Sequence, residues 1–289
     1  VVILAEKDKM EMEDTIREKV GLTGNTKVIC RSGNPTDKID LEIINPNQAK
    51  SIIVLPPEGS YADIGIVKTI VALLTTIEDS NKTLHIVTEA RYKENSDIIK
   101  IVGQNQVEVV LSNDIISKVI AQTCRQPGLS VVYSELMSFN GKFHYKDIKG
   151  PWYKDSSGDE IYFYFEKQLA DHSYYDAIIG YPYATVVGIF TENDEVLLNP
   201  NMNYIIKSTD KIICIAEDKE KINYEVHSDS DVNSENIINE AMPHKKEHIL
   251  ILNWNRYTSI VIKELDDYIM PGSNITVLTS GNYHKDFDM

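Results

Sequence analysis

Only three of the 289 residues are cysteine, Cys30, Cys124 and Cys214. An odd, dispersed set provides no disulfide framework and reads as reduced, buried thiols in a cytosolic setting. Positive charge is also short: 29 Lys and Arg stand against 44 Asp and Glu, a net charge of −15. Neutralising phosphates takes clustered Lys and Arg, so no nucleic-acid partner is expected. No apolar run approaches the roughly 18 residues that a membrane span requires. The sequence opens on Val1-Val2-Ile3-Leu4 with no basic stretch before an apolar one, so no signal peptide is expected. There is no G-x-S-x-G elbow, no Cys–His signature and no Walker loop. Nothing identifies a nucleophile, and the chain is not expected to be an enzyme.

What is present is an alternation. Short β-branched runs stand at 1–5, 27–30, 51–55, 84–88 and 107–111. Stretches with helical spacing lie between and after them, at 8–19, 36–48, 62–78, 94–103 and 113–126. Apolar strands separated by helices predict an α/β fold, a Rossmann-like doubly wound parallel sheet covered on both faces. Pro127-Gly128 breaks this pattern. Beyond it lies turn-rich, aromatic sequence, with short strands expected at 184–190, 195–198, 203–206 and 211–216 and a helix or turn near 166–180. That predicts a small β-rich (α+β) lobe, and Ile222–Val226 beyond it also looks like a strand. A polar stretch at 226–246 reads as a linker or exposed helix. The first texture then returns, with strands at 249–252 and 275–279 around a helix at 256–269. The expected organisation is an α/β lobe at 1–126, a crossover helix and β-rich lobe at 127–225, the linker, and at 247–289 the first βαβ of a second Rossmann-like unit.

Topology adds a constraint. In a doubly wound sheet the phosphate-binding turn follows the first strand and a ribose-binding acid ends the second. Glu6, after Val1–Ala5, stands where that second-strand acid belongs. The first strand, central in the order 3-2-1-4-5-6, is then missing from its place. An empty central place leaves both neighbours with unpaired N–H and C=O groups. Either preceding chain fills it, or 249–269 supplies the strand and helix.

The segment Arg31-Ser32-Gly33-Asn34-Pro35-Thr36-Asp37, continuing to Leu55, resembles RCK domains, the regulators of potassium conductance. These carry Gly-Asp-x-Thr, then a Leu, then an Ala before the next strand; Gly33, Thr36, Leu41 and Ala49 stand in those places. The wider sequence resembles the Castor and Pollux group of ion channels. The matching segments are Val1–Lys9, Val28–Gly33, Gln126–Leu129, Asn199-Pro200 with Tyr204, and Ile215–Asp218. The resemblance implies a gating module rather than a catalyst. Such domains lie on the cytosolic face of the membrane, attached to the pore domain of a tetrameric cation or potassium channel. They assemble from dimers to an octameric ring and convert ion or nucleotide binding into pore opening. The resemblance also implies that the helices at 113–126 and 129–139 cross to a partner subunit. A competing reading of the same residues is that they close their own lobe, with Ile115, Ile116, Val119, Ile120, Thr123 and Cys124 packed on the sheet.

Candidate sites follow. Glu6, Arg31, Gly33 and Asn34 are the residues that could edge a nucleotide in the first unit, or be ordinary strand-end groups. Asn34 replaces the Asp of the family pattern, which weakens an adenosine contact. The second unit has Asn253-Trp254-Asn255-Arg256-Tyr257 where a nucleotide binder carries G-x-G-x-x-G, so no dinucleotide is expected there. Asp229, Asp231, Asn233 and Glu240 have the spacing of a calcium loop, with Ser234 in place of the turn glycine; otherwise they form a solvated acidic linker. Asp155–Glu160 reads as a turn. His244 and His248 lack a third ligand and read as a surface pair, and the cluster from Trp152 to Phe165 reads as packing. A dinucleotide-dependent oxidoreductase on the same sheet is the alternative function. It needs an intact glycine turn and a proton donor, and the sequence offers neither. A ligand-free assembly scaffold is a third.

Overall fold

In the first half of the chain, each short β-branched run becomes a strand and each periodic stretch a helix. The computed structural model describes residues 1–21, 26–57, 59, 62–77, 84–137, 159–225 and 245–280. Val2–Ala5 (β1) and Ile29–Ser32 (β2) pair in parallel, with Val2 opposite Ile29 and Ala5 opposite Ser32. Lys9–Lys19 (α1) joins them, started by the Asp8 carboxylate, which accepts from the N–H groups of Met10 and Glu11 at 2.8 and 3.1 Å. Asp37 caps Lys38–Ile44 (α2) in the same way. The helix expected at 36–48 ends early because Asn45 turns left-handed (φ 51°) and Pro46 follows, opening a short 3-10 turn instead.

Ile52–Val54 (β3), Ile86–Ala90 (β4) and Val107–Leu111 (β5) form a parallel sheet in that order. Ala62–Thr76 (α3) and Lys93–Gly103 (α4) connect them. Leu41, Val54, Ile66, Ile70, Leu73, Ile86 and Ile99 make one buried cluster between these helices and one face of the sheet. Ser112–Arg125 (α5) and Leu129–Leu136 (α6) follow, separated by Pro127 and by Gly128 at φ 96°. Near the end of the chain His248–Leu252 (β10), Thr258–Tyr268 (α8) and Asn274–Leu278 (β11) form a βαβ unit, with β10 parallel to β11. β10 pairs with neither β1 nor β3. The described residues fall into two compact units. Val1–Ile120, His248–Ile269 and residues from Asn274 on make one; Ala121–Glu247 with Met270–Ser273 makes the other, so α5 contributes to both.

The second unit is antiparallel. Glu160–Tyr164 (β6), Thr185–Phe190 (β7), Val196–Leu198 (β8) and Lys211–Ala216 (β9) form a sheet in the order β6–β9–β7–β8. The ladder between β7 and β9 shifts between Val186 and Gly188. A Cβ on Gly188 would lie 2.4 Å from the Leu197 carbonyl oxygen, so only glycine lets β8 approach there. Tyr174–Ile179 (α7) starts on a capping box: Ser173 receives the Asp176 N–H, and the Asp176 carboxylate accepts from the Ser173 N–H at 2.8 Å. Tyr174, Ala177, Tyr181, Val186, Ile189, Ile212 and Cys214 form the core against this helix.

Two strand expectations are corrected. Residues 203–206 make only an isolated bridge, Ser173 to Ile205. The buried Asp210 carboxylate accepts from the Lys207 N–H and the Tyr204 hydroxyl, both at 2.9 Å, and so folds this segment into a turn. Burial, with that carboxylate beside it, pushes the Tyr204 hydroxyl up to about 12. Ile222–Glu225, which also looked strand-like, follow a 3-10 turn at Lys219–Lys221 and join no ladder.

Candidate functional site

The carboxyl ends of parallel strands are where α/β sheets hold ligands, because loops and helix N-termini converge there. At the ends of β1 and β2 the register places Ala5 opposite Ser32, and the Gly33 N–H donates to the Ala5 carbonyl at 3.0 Å. Glu6 and Arg31 are both solvent-exposed. The Arg31 guanidinium donates to the Cys30 carbonyl at 3.1 Å. Asn34 is occupied locally. Its N–H donates to the Asp40 carboxylate at 2.8 Å, and its side-chain oxygen receives the Thr36 N–H and hydroxyl at 2.8 and 2.7 Å. A Cβ on Gly33 would meet Leu4 at 2.9 Å and Asp40 at 3.0 Å. The Gly-x-x-Thr pattern therefore has a structural cause in this turn: close packing under β1, then an Asx turn leading into α2.

A second polar group stands at the ends of β3, β4 and β5, and sequence reasoning missed it. Asp63, in the first turn of α3, is 8% exposed; one carboxylate oxygen accepts from the Asn95 amide at 2.7 Å and the other has no partner. Glu89, near the end of β4, accepts from the Ser112 hydroxyl at 2.6 Å. Asn113, at the start of α5, is 2% exposed with its side-chain oxygen also unpartnered. Thr88 donates to the Val54 carbonyl at 2.8 Å, tying β4 to β3 beside them. Buried acceptors without donors are uncommon in folded chains, and each calls for a donor or a cation. The signal available in the sequence was an acid inside an apolar strand (Ile86-Val87-Thr88-Glu89-Ala90) and an acid opening the helix after β3. Among the described residues, no group of three or more His, Cys, Asp or Glu is assembled to hold a metal ion.

The turn after β10 is built differently. Asn253 is left-handed at φ 72°, and its N–H donates to the Leu278 carbonyl. The Asn255 N–H donates to the Thr258 hydroxyl at 3.0 Å, and its side chain receives the Tyr257 N–H at 2.9 Å. The amides of Asn253, Asn255 and Tyr257 are thus bound to acceptors of the chain itself, and Tyr257 brings bulk to the turn. The proposed calcium loop, Asp229, Asp231, Asn233 and Glu240, lies outside the described residues, as do His244, Trp152 and Asp155.

Helix α5 is turned inside out relative to the self-closing reading. Asn113, Ser117 and Ala121, four residues apart, form its buried stripe. Ile115, Ile116 and Ile120 are exposed, and so is Cys124. The following α6 has no buried residue at all, and Val132 stands exposed on it.

Residues 113–155 and 153–232 match a family model described as Castor and Pollux, part of voltage-gated ion channel. The protein named probable ion channel POLLUX from Arabidopsis thaliana is 32% identical over 281 residues, covering 95% of this chain and 31% of that protein. Over 95% of its length the chain is thus similar to Castor and Pollux proteins. A further relative is the ion channel DMI1 of Medicago truncatula, 28% identical over 281 residues, 95% of this chain and 29% of that protein. The chain therefore spans under a third of the length of these Castor and Pollux relatives. Among solved structures, the human SLO3 gating ring superposes with a TM-score of 0.62 at 13% identity, over 96% of this chain and 58% of that one. The Rossmann-like fold expected from the alternation of strands and helices over 1–126 is thus shared with that structure. No helix among the described residues is long and apolar enough to cross a membrane.

Proposed function

We propose that this chain is the ligand-sensing regulatory part of a cation channel, joined to a transmembrane pore and lying on its cytosolic side. The observation that carries this reading is the 32% identity to a protein named as a probable ion channel, maintained over 95% of the chain. The likeness of the fold to a gating ring is consistent with it. In such a module, a ligand acts by binding one of two arrangements more tightly than the other. The geometry offers two parts of that machine. At the ends of the parallel strands, Asp63 and Asn113 each hold a buried acceptor with no donor, suited to a cation or a hydrogen-bond donor. The bare Ile115, Ile116, Ile120 and Val132 on α5 and α6 suit a subunit contact, and burying four such side chains contributes several kcal/mol at about 25 cal/mol per Å². Calcium is the ligand we assign first, on the strength of the acidic spacing at Asp229–Glu240 and the orphan oxygen of Asp63. A nucleotide at Glu6, Arg31, Gly33 and Asn34 is the second, and the local bonding of Asn34 speaks against it.

Calorimetry with calcium on the purified full-length protein tests the ligand, and repeating it with Asp63→Asn and Glu240→Gln separates the two sites. Loss of heat in one variant assigns the site to that residue. Heat unchanged in both removes these two sites, and no heat in the wild type removes calcium as the ligand. Sedimentation of Ile116→Asp tests the contact: the expected result is a smaller assembly.

A further inference from the structure

The turn between α7 and β7 is fixed in place and borders a cavity of the second unit. The helix ends at Gly180, where a Cβ would run into the Tyr224 ring, so the chain leaves α7 in close contact with the segment after β9. The Glu225 N–H donates to the Gly180 carbonyl at 2.8 Å, and the Tyr181 and Tyr224 rings stand 5.6 Å apart. The turn then enters β7 at Thr185, which is paired with Ile215 of β9; Ile215 is paired in turn with Ile161 of β6. At this end of the sheet lies a cavity of about 510 Å³, lined by Ile178 of α7, Tyr181 and Tyr183 of the turn, Val186 of β7, Ile215, and Asp159 just before β6. That volume is within the range of small-molecule sites, about 300–1,000 Å³.

The lining selects the charge of an occupant. Among the described residues that line the cavity, none is Lys, Arg or His. Asp159 has no hydrogen bond or ion pair with any described residue. The register adds further negative charge: Glu160 lies opposite Ala216, so Asp159 and Glu217 leave the ladder at the same end. Tyr181 is 5% exposed and its hydroxyl has no hydrogen-bond partner. Burial pushes that hydroxyl well above its ordinary value, so it stays neutral. A phosphate or carboxylate would meet Asp159 with no cation to offset it, whereas an ammonium or guanidinium would gain a charge-assisted hydrogen bond.

Tyr183 supplies a second element. It borders the cavity yet is 68% exposed, and the face of a tyrosine ring attracts a cation within about 6 Å of its centroid. Ile178, Val186 and Ile215 offer apolar surface to the body of a ligand. A bare calcium ion takes about six to eight oxygen ligands, which one carboxylate does not provide. A carboxylate, an aromatic ring and apolar surface together suit a cation carried on carbon.

We propose that this cavity binds an organic cation, an amine or guanidinium on an apolar body. Asp159 pairs with the charge, Tyr183 stacks on it, and Ile178, Val186 and Ile215 hold the body. The ligand is separate from calcium, whose candidate residues, Asp63 and Asp229–Glu240, do not line the cavity.

Calorimetry on the full-length protein tests this with two probes: spermidine as a free amine, and an end-blocked tripeptide with a central arginine as a guanidinium carried on a chain. The expected result is one saturable site, weakened about 10-fold or more by Asp159→Asn and by Tyr183→Ala. The Tyr183 side chain is largely exposed, so its removal leaves the core intact. Asp14→Asn removes the same charge from an exposed position on α1 and should leave the affinity unchanged. Tighter binding of spermidine would assign the site to a free amine, and tighter binding of the tripeptide to a basic side chain of a protein partner. Absence of saturable binding by either probe would overturn the proposal. So would equal weakening by Asp14→Asn and Asp159→Asn, because general attraction to a net charge of −15 would then account for the binding.

Discussion

Ile189 on β7 and Ile53 on β3 are both isoleucines inside strands, yet Ile189 is fully buried and Ile53 keeps most of its surface. The difference lies in the sheets that hold them. An antiparallel sheet can leave one face to solvent and still satisfy its backbone through short connections. The β6–β9–β7–β8 sheet does this, burying Ile189, Ile212 and Cys214 against α7 while Ile161, Phe163 and Leu198 remain exposed on the other face. A parallel sheet is ordinarily covered by crossover helices on both faces, so its strands are apolar on both sides. The second unit thus buries one face of its sheet against α7, while in the first unit Ile53 and Leu55 stay exposed.

Mutations can break or sharpen this contrast. Ile189→Ala should have the largest effect, a loss of about 2–5 kcal/mol from cavity formation, read by denaturant unfolding. The same change at Ile53 should move the stability of residues 1–289 by within about 0.5 kcal/mol. A large loss at Ile53 in that fragment would mean that its face is already covered. Gly188→Ala should cost about 1–3 kcal/mol, because the new methyl meets the Leu197 carbonyl and one strand must shift. Asp176→Asn should cost roughly 0.5–2 kcal/mol by weakening the capping box of α7. It also carries a pH signature. The Ser173 hydroxyl and N–H bonds hold the Asp176 carboxyl below the usual carboxylate range. Its contribution is thus complete above that range and lost as pH falls through the lowered value. Thermal midpoints of wild type and variant should therefore converge in acid, and a constant gap down to strongly acid pH would contradict this. Glu108→Gln, which removes an exposed pair with His85 at 3.1 Å, should be the smallest, about 0.5 kcal/mol or less.

The strands were legible because continuous β-branched runs between helical stretches have one physical interpretation, burial in a parallel sheet. The turn at 203–206 was not legible. Ile205 and Ile206 look like a strand until Asp210, four residues beyond Ile206, is seen to gather Lys207 and Tyr204 around its carboxylate. Helix α5 misleads in another way. Amphipathic reading puts isoleucine inward, whereas here small and polar Asn113, Ser117 and Ala121 face inward and the isoleucines face out. An inverted helix has the same periodicity as a normal one, so only contacts reveal the direction. Glu6, Arg31, Gly33 and Asn34 lie at or near the ends of the paired strands β1 and β2. The Asp63–Asn95 and Glu89–Ser112 pairs were invisible because each joins residues 23 or more positions apart.

The most direct test of the central claim is electrical. Single-channel currents of the full-length protein should be recorded while calcium is applied to the face bearing this domain, in wild type and in the double variant Asp63→Asn with Glu240→Gln. The account predicts that calcium changes the open probability of the wild type, that the variant loses this response, and that unitary conductance is the same in both. An open probability indifferent to calcium in the wild type, or a variant that alters conductance while keeping the calcium response, would contradict a regulatory role for this chain.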